Sequence, residues 1–391
     1  MIKKRPKLIR VTTVPISMSV LLQGQLEFVG SEFEVIGVSS GPDSLLRKIS
    51  EDEKIKVRKI EMTRTISPFK DVIALLKFYF LCRNLKPLIV HTHTPKAGIV
   101  GMLGAKLANV PIRLHTVAGL PLMEAQGFKR KVLDAVEKLT YSCATKVYPN
   151  SKVLYDFIVS QNYASADKIK VIGNGSSNGI NTDHFSIDNI SLGVQQQLKQ
   201  ELGISDSDFV FVFVGRMVTD KGVNEMVSAF SELNRVDCKL LLVGPTESEL
   251  DPLLPSTLEM IETNNQIIAV GYQPDVRKYF AISDALVFPS YREGFPNVVL
   301  QAGAMGLPGI VSDINGCNEI IANNHNGIIV PPKNKDAIKS AMVEILDNKS
   351  FFAALKENAR NMITSRFEQK VVWDAILAEY NSLIKNPGGD V

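Results

Sequence analysis

Short apolar runs alternate with longer segments of helical spacing along most of the chain. In the first half LIRVTTV, FEVIGVSS, KVRKIEM, PLIVHTHT, PIRLHTVAG, TKVYPN and KIKVIGNG read as strands or strand ends. FKDVIALLKFYFLCRNLK, KAGIVGMLGAKLANV and FKRKVLDAVEKLTYSCA lie between them as helices. Strands that are apolar throughout are covered on both faces, and the intervening helices supply the crossovers, so a parallel α/β unit is predicted. The pattern then restarts. DFVFVFVGRM, CKLLLVGP, NQIIAVG, DALVFPS, PGIVSDI and GIIVP form six further strands, with NEMVSAFSELNR, DVRKYFAI, VVLQAGAMG and KDAIKSAMVEILDN around them. The expected fold is therefore two Rossmann-like parallel-sheet domains.

The boundaries expected from this pattern are an N-terminal domain over 1–185 and a polar linker, poor in strand signal, over 186–204. A C-terminal domain over 205–365 and a last helix with its tail over 366–391 follow, the helix returning to the N-terminal domain. In MITSRFEQKVVWDAILAEYNSLI the apolar residues keep helical spacing and Trp373 is a core anchor.

Length agrees, since 391 residues exceed what one core usually organises. A net charge of +3 gives no support to a bulk nucleic-acid binder. Four cysteines without CxxC or zinc spacing suit a reducing compartment. The basic, apolar start resembles a secretory leader, but Thr12, Thr13, Pro15, Ser17 and Ser19 interrupt it, and a buried first strand explains it better. No run reaches the roughly 18 apolar residues of a membrane span. The expectation is a cytoplasmic protein whose surface is free to touch a membrane.

Ligands of open parallel sheets bind beyond the carboxyl ends of the strands, which directs attention to the motifs there. After VFVFV come Gly215, Arg216, Lys221 and Gly222, two cations around a turn before a helix. They would aim positive charge at one spot and suit a diphosphate, although a solvated basic turn carries the same residues. The glycine spacing fits neither a Walker loop nor a dinucleotide fingerprint. After DALVFPS come Glu293, Gly294, Phe295, Pro296 and Asn297. The proline suits a first helical turn, and the amides of Gly294 and Phe295 are expected free for an anion or sugar oxygens. Glu293 would accept hydrogen bonds from hydroxyls, or serve only as a helix N-terminal carboxylate. Gln301 lies one and a half turns further on, where an ordinary surface glutamine is the alternative. SDINGCNE ends another strand with a polar turn.

In the first half, His91 and His93 in VHTHTPKAG and His115 in LHTVAGL fall at strand ends. No fourth ligand at recognisable spacing accompanies them, so no metal site is expected. His115 precedes a small-residue turn and could donate to a substrate oxygen. His93 alternates with His91, and at least one of the two is structural. The hydroxyl-rich loop TTVPISMSVLLQGQ, with Thr13 and Ser17, could line the same cleft. GNGSSNGIN brings Asn174 and Asn178 into a tight turn that is either a hinge or a sugar-contacting loop.

Together, Gly215-Arg216 with Lys221-Gly222, EGFPNVVLQAGAMGLP, SDINGCNE and GIIVPP resemble the retaining, nucleotide-sugar-dependent glycosyltransferases of family 4, in order and spacing. HTHTPKAG, HTVAG and GNGSSNGI resemble a bacterial subgroup that builds surface polysaccharides and lipid-linked glycans. The resemblance implies the GT-B fold, with the two domains facing across a cleft. It implies a sugar moved from a nucleoside-diphosphate donor, UDP-linked by the subgroup, to a saccharide hydroxyl on a lipid-linked acceptor, without a divalent metal or other cofactor. It casts Arg216 and Lys221 on the donor diphosphate, Glu293 with the amides of Gly294 and Phe295 on the donor sugar, and His115 near the reacting carbon. The second glutamate of the family, which holds the ribose, falls at Gln301. That departure keeps an acceptor oxygen but loses charge-assisted bonds, worth about 1 kcal/mol or more each. A nucleotide-sugar epimerase or hydrolase of the same architecture, or a silent sugar- or nucleotide-binding protein, is the alternative. Lys70, Lys77, Arg83 and Lys86 on one apolar helix, with Lys129, Arg130 and Lys131, could rest on anionic lipid, or form the solvated rim of an ordinary helix.

Overall fold

The computed structural model describes residues 5–385 apart from 64, 66, 121, 123, 124, 248 and 250. The chain divides into two compact units. One runs to Asn178 and resumes at Lys370; the other spans Gly179–Gln369.

The first unit holds β1 (Lys7–Val11), β2 (Glu34–Ser39), β3 (Lys56–Lys59), β4 (Ile89–Thr92), β5 (Ile112–Val117) and β6 (Lys146–Pro149), all parallel, in the order β3-β2-β1-β4-β5-β6. The second holds β7 (Phe209–Val214), β8 (Cys238–Val243), β9 (Ile267–Ala269), β10 (Ala285–Phe288), β11 (Gly309–Ser312) and β12 (Gly327–Val330). Its order, β12-β11-β10-β7-β8-β9, repeats the first read from the other end, again parallel. Both are doubly wound Rossmann-like sheets. Strand order reverses between β1 and β4 in the first unit and between β7 and β10 in the second. At such a point the crossover helices leave toward opposite faces, and a crevice opens beyond the strand ends.

The central strands are apolar because helices cover both faces: Val210 to Phe213 of β7 are all fully buried. Three sequence expectations differ from the structure. KIKVIGNG forms no strand; Ile169 makes a single bridge to Val147, and the chain then turns at Gly173 and Gly175, both at positive φ. Residues 186–204, expected as a linker, contain the helix Leu192–Glu201, and Leu198 and Ile204 are buried in the core of the second unit. The last helical stretch is two helices, Lys349–Phe367 and Gln369–Lys385, separated by Glu368 in extended conformation. The cause is pairing with Ile180, whose N–H donates to Phe367 O (2.8 Å) and whose carbonyl accepts from Gln369 N (3.0 Å). The Glu368 carboxylate also accepts from the Thr182 amide and hydroxyl.

Beyond that break, the helix Gln369–Lys385 packs against the first sheet through Val372, Ile376 and Tyr380. Trp373 lies on Phe28 (5.3 Å between ring centroids) and donates from Nε1 to Asn178 Oδ1 (2.7 Å). It also covers Gly24, where a Cβ would come within 2.7 Å of the indole.

Candidate active site

In the second unit the loops after β7 and β10, neighbours at the switch point, are locked together by backbone contacts. Gly222 has φ +68° and opens the helix Val223–Ser231; a Cβ there would stand 2.2 Å from the Pro289 carbonyl oxygen. Tyr291 N donates to Asp220 O (2.8 Å), and the Arg292 guanidinium pairs with the Asp220 carboxylate (2.9 Å). A third loop joins after β11. Gly316, at φ +76°, lies so close that a Cβ would sit 2.7 Å from Gly294 O. Asn315 donates from Nδ2 to the carbonyls of Glu293 (3.1 Å) and Gly294 (2.6 Å). Glycine is required at both approaches, because the positive φ and the missing Cβ are used together.

This frame brings Lys221 Nζ to 2.6 Å from Glu293 Oε1, a contact between residues 72 apart in sequence. Ser290 Oγ donates to the same carboxylate oxygen (3.2 Å). Both charges are largely shielded from solvent, so salt screens their interaction less than it would a surface pair. Arg216, about half exposed, pairs with Glu247 from the loop after β8. Gly215 lies against that loop, since a Cβ on Gly244 would overlap the Gly215 carbonyl at 1.7 Å. Beneath the cluster, burial and then the Glu293 carboxylate push the Cys317 thiol well above its ordinary range, so it stays protonated.

Pro296 takes the cap position of the helix Asn297–Ala304, one residue earlier than expected. Among the described residues the amides of Gly294 and Phe295 donate to no protein acceptor. Asn297 and Gln301, four residues apart, share the accessible face of this helix, while Val299, Leu300 and Ala302 to Ala304 are buried. Helical side chains lean toward the N-terminus, so Gln301 points back along the face that Asn297 begins. The second unit thus assembles Gly215, Arg216, Lys221 and Glu293 to Asn297 at one sheet end, with Gln301 one turn deeper.

The residues picked in the first unit are placed differently. His115 lies inside β5 rather than beyond it and is 2% exposed. Its Nδ1 meets Thr92 Oγ1 (2.7 Å), its ring lies near Tyr141, and a Cβ on Gly98 would be 2.6 Å from it. Burial holds its pKa down at about 4. The histidine expected to reach a substrate oxygen is in the core; the strand ends two residues later at Val117, and the chain bends at Ala118.

Thr13 is used locally. Its hydroxyl contacts Thr94 Oγ1 (2.7 Å) and accepts from Ala97 N (3.2 Å), closing the start of the helix Pro95–Leu107. Ser17 is half-buried in the short helix Pro15–Leu21. His93 is buried and accepts from Arg10. Asn178 is buried between Trp373, Gln25 and the Gln23 carbonyl, and Asn174 is exposed on the preceding turn.

Sequence reasoning missed Ser290, Glu247 and Arg10. Ser290 and Glu247 bear no local signal, because their partners come from other strand ends. Arg10 had one: a lone charge within the apolar run LIRVTTV. Among the described residues no group of three or more His, Cys, Asp or Glu is placed to hold a metal ion.

Two family models match the chain. "Glycosyl transferases group 1" covers residues 194–362, and "Glycosyl transferase 4-like domain" covers 27–175. The capsular polysaccharide biosynthesis glycosyltransferase CapM of Staphylococcus aureus is 32% identical over 388 residues, 99% of this chain and 100% of that protein. An Escherichia coli enzyme named UDP-Gal:alpha-D-GlcNAc-diphosphoundecaprenol alpha-1,3-galactosyltransferase is 30% identical over 334 residues, 83% of each chain. Among solved structures, a glycosyltransferase from Rickettsia africae ESF-5 superposes with a TM-score of 0.81 at 22% identity, covering 98% of this chain and 100% of that one. Anabaena Alr3699/HepE in complex with UDP gives 0.81 at 16% identity, covering 96% and 100%.

Proposed function

The chain belongs to the family 4 glycosyltransferases of GT-B fold and is a nucleotide-sugar-dependent transferase; from that premise we propose that it moves a sugar, with retention, from a UDP-sugar to a saccharide hydroxyl on a lipid-diphosphate carrier. The observation that carries the donor half is the Lys221–Glu293 contact at the switch point of the second sheet. A cation beside a carboxylate, with unbonded amides following, offers one partner for phosphate and another for sugar hydroxyls.

The chemistry follows from charge. As the bond between the anomeric carbon and the diphosphate oxygen breaks, its electron pair leaves with the phosphate and positive charge grows on the sugar. Lys221 and Arg216 would favour the leaving diphosphate over the bound substrate, which is where binding energy accelerates a reaction. Glu293 would accept from sugar hydroxyls, helped by the amides of Gly294 and Phe295. Gln301 and Asn297 would meet the nucleoside. The acceptor oxygen attacks from the face the diphosphate leaves, and its proton passes to the departing phosphate oxygen. Incoming phosphate must displace two carboxylates, Glu293 from Lys221 and Glu247 from Arg216. The burial of His115 supports a framework task for that residue rather than contact with the sugar.

The acceptor half rests on the two relatives, whose names include capsular polysaccharide and diphosphoundecaprenol, and on one surface. The helix Pro68–Leu85 buries Ala74, Phe78 and Cys82, yet exposes Phe69, Val72, Ile73, Leu76 and Phe80 at spacings of three and four, one continuous outward stripe. Phe69 is 86% exposed, as is Phe128 at 82% beside Lys129 and Lys131. Apolar side chains among lysines suit an anionic lipid surface, and we read the protein as peripheral on the cytoplasmic face of a membrane. Among the described residues no helix is long and apolar enough to cross one.

The deciding experiment screens radiolabelled UDP-sugars against polyprenyl-diphosphate saccharides. Label transferred only in the presence of acceptor is the expected result. Sugar released equally without acceptor would replace transfer by hydrolysis, and transfer from GDP-sugars alone would overturn the choice of base.

A further inference from the structure

Arg10 is fully buried at the heart of the first sheet, and its hydrogen-bond partners are all neutral. Nε donates to His93 Nε2 (2.9 Å), Nη1 to Tyr380 OH (2.9 Å) and Nη2 to Gln25 Oε1. A guanidinium only donates, which fixes the hydrogens around it. His93 Nε2 must be bare, so the imidazole proton sits on Nδ1. Tyr380 accepts from Arg10, and among the described residues its own hydrogen finds an acceptor only in His91 Nδ1 (2.5 Å); His91 then carries its proton on Nε2 and donates to Thr116 Oγ1 (2.7 Å). Two chains of donors therefore start from one buried cation and run outward through two neutral histidines.

Among the described residues the His93 branch meets no acceptor: its Nδ1 is buried without a partner, as are Asn150 Oδ1 and Ser177 Oγ. All three residues line one small void with Thr116, Gln25 and Tyr148, about 20 Å³ in volume. Asn150 Nδ2 donates to Ala118 O (3.5 Å), which turns the amide oxygen toward the void. Three buried unsatisfied polar atoms around one cavity are costly unless something joins them. The occupant must accept from His93 and also donate to Asn150. A bare anion fails the second condition, and a sugar ring exceeds the space. A water needs about 10–15 Å³ by this measure and about three polar partners.

We propose that this void is the binding site of one ordered water, which accepts from His93 Nδ1–H, donates to Asn150 Oδ1 and is shared with Ser177 Oγ. The water ties the Gly173–Asn178 turn to the carboxyl end of β4. It extends a fixed hydrogen-bond frame from Arg10, in which His91 and His93 serve as neutral relays of position and not as acids or bases. The inference stands apart from the transfer reaction and survives or fails without it.

Histidine-selective ¹⁵N labelling of the full chain tests it, with His93→Gln used only to assign the ring signals. Expected are Nδ1–H for His93 and Nε2–H for His91, unchanged between about pH 6 and 8, and a nuclear Overhauser contact from His93 Nδ1–H to water. A charged or Nε2–H His93 ring would overturn the frame, and a dry Nδ1–H would overturn the water. Ser177→Val fills the void with methyl groups; it should abolish the water contact yet leave the His93 tautomer, which Arg10 sets. A tautomer that changes in this variant would show that the cation does not dictate it.

Discussion

Glu137 offers a stability prediction that can be worked in numbers. It lies in the helix Gly127–Cys143, is 6% exposed and forms no ion pair among the described residues. One turn on, buried Tyr141 is its neighbour, and the interaction between the two only partly offsets the effect of burial on the carboxyl group. Burial raises the Glu137 pKa from 4.5 to about 7. The folded chain therefore keeps a proton that the unfolded chain has already released, and unfolding discharges it. Stability from this group is fully present below about pH 4.5 and is lost as pH rises through about 7. At about 1.4 kcal/mol per pH unit, the loss approaches about 3 kcal/mol above pH 8. Glu137→Gln keeps the size and neutrality of the protonated form at every pH. The variant should match the wild type near pH 5 and be more stable by up to about 3 kcal/mol near pH 8.5. Trp373, the only tryptophan, packs within the same unit, so its fluorescence during urea unfolding reads this unit's transition. A difference between the two proteins that does not grow with pH would refute the reasoning, and a less stable variant at high pH would reverse it.

At the site, Lys221→Ala should lower kcat/KM about 100- to 1,000-fold in the radiolabel assay, the range for removing one preorganised donor to a developing negative charge. Removing Glu293 or Lys221 alone leaves a half-buried charge unpaired. Glu293→Gln and Lys221→Met should each cost about 1–3 kcal/mol by denaturant unfolding, and the double variant should recover part of that loss without recovering activity. Gln301→Glu should tighten donor binding about three- to tenfold by calorimetry; unchanged affinity would return Gln301 to the ordinary residues of its helix. Gly222→Ala should destabilise by more than about 2 kcal/mol in thermal unfolding, since its Cβ would overlap the Pro289 carbonyl at a positive φ.

Much of this protein was legible in one dimension. All six strands of each unit lie within the runs read as strands; the central ones leave an uninterrupted hydrophobic signature because both faces are buried, whereas the edge strand β3, KVRK, is largely exposed. The glycine-marked, charged turns after β7 and β10, to which we assign the donor, were visible too, because turn residues at strand ends are local features. Errors arose where a local pattern met a distant partner. The periodicity of the last helix runs through Glu368, yet pairing with Ile180 breaks it. The polar composition of 186–204 suggested a linker, but two apolar side chains were enough to dock it on a core.

His115 shows the same limit most sharply. A histidine near a strand end has one sequence signature whether its ring faces a ligand or Thr92, and only the register of β5 against β4 decides. Sequence by itself determined the two doubly wound sheets, the cations and the carboxylate, because hydrophobic period and turn chemistry are properties of neighbouring residues. Tertiary structure alone decided that Lys221 meets Glu293, that Asn315 and Gly316 brace them, and that Arg10 is held by neutral partners. Each of these is a contact across tens to hundreds of residues, fixed by strand order and by close backbone approach.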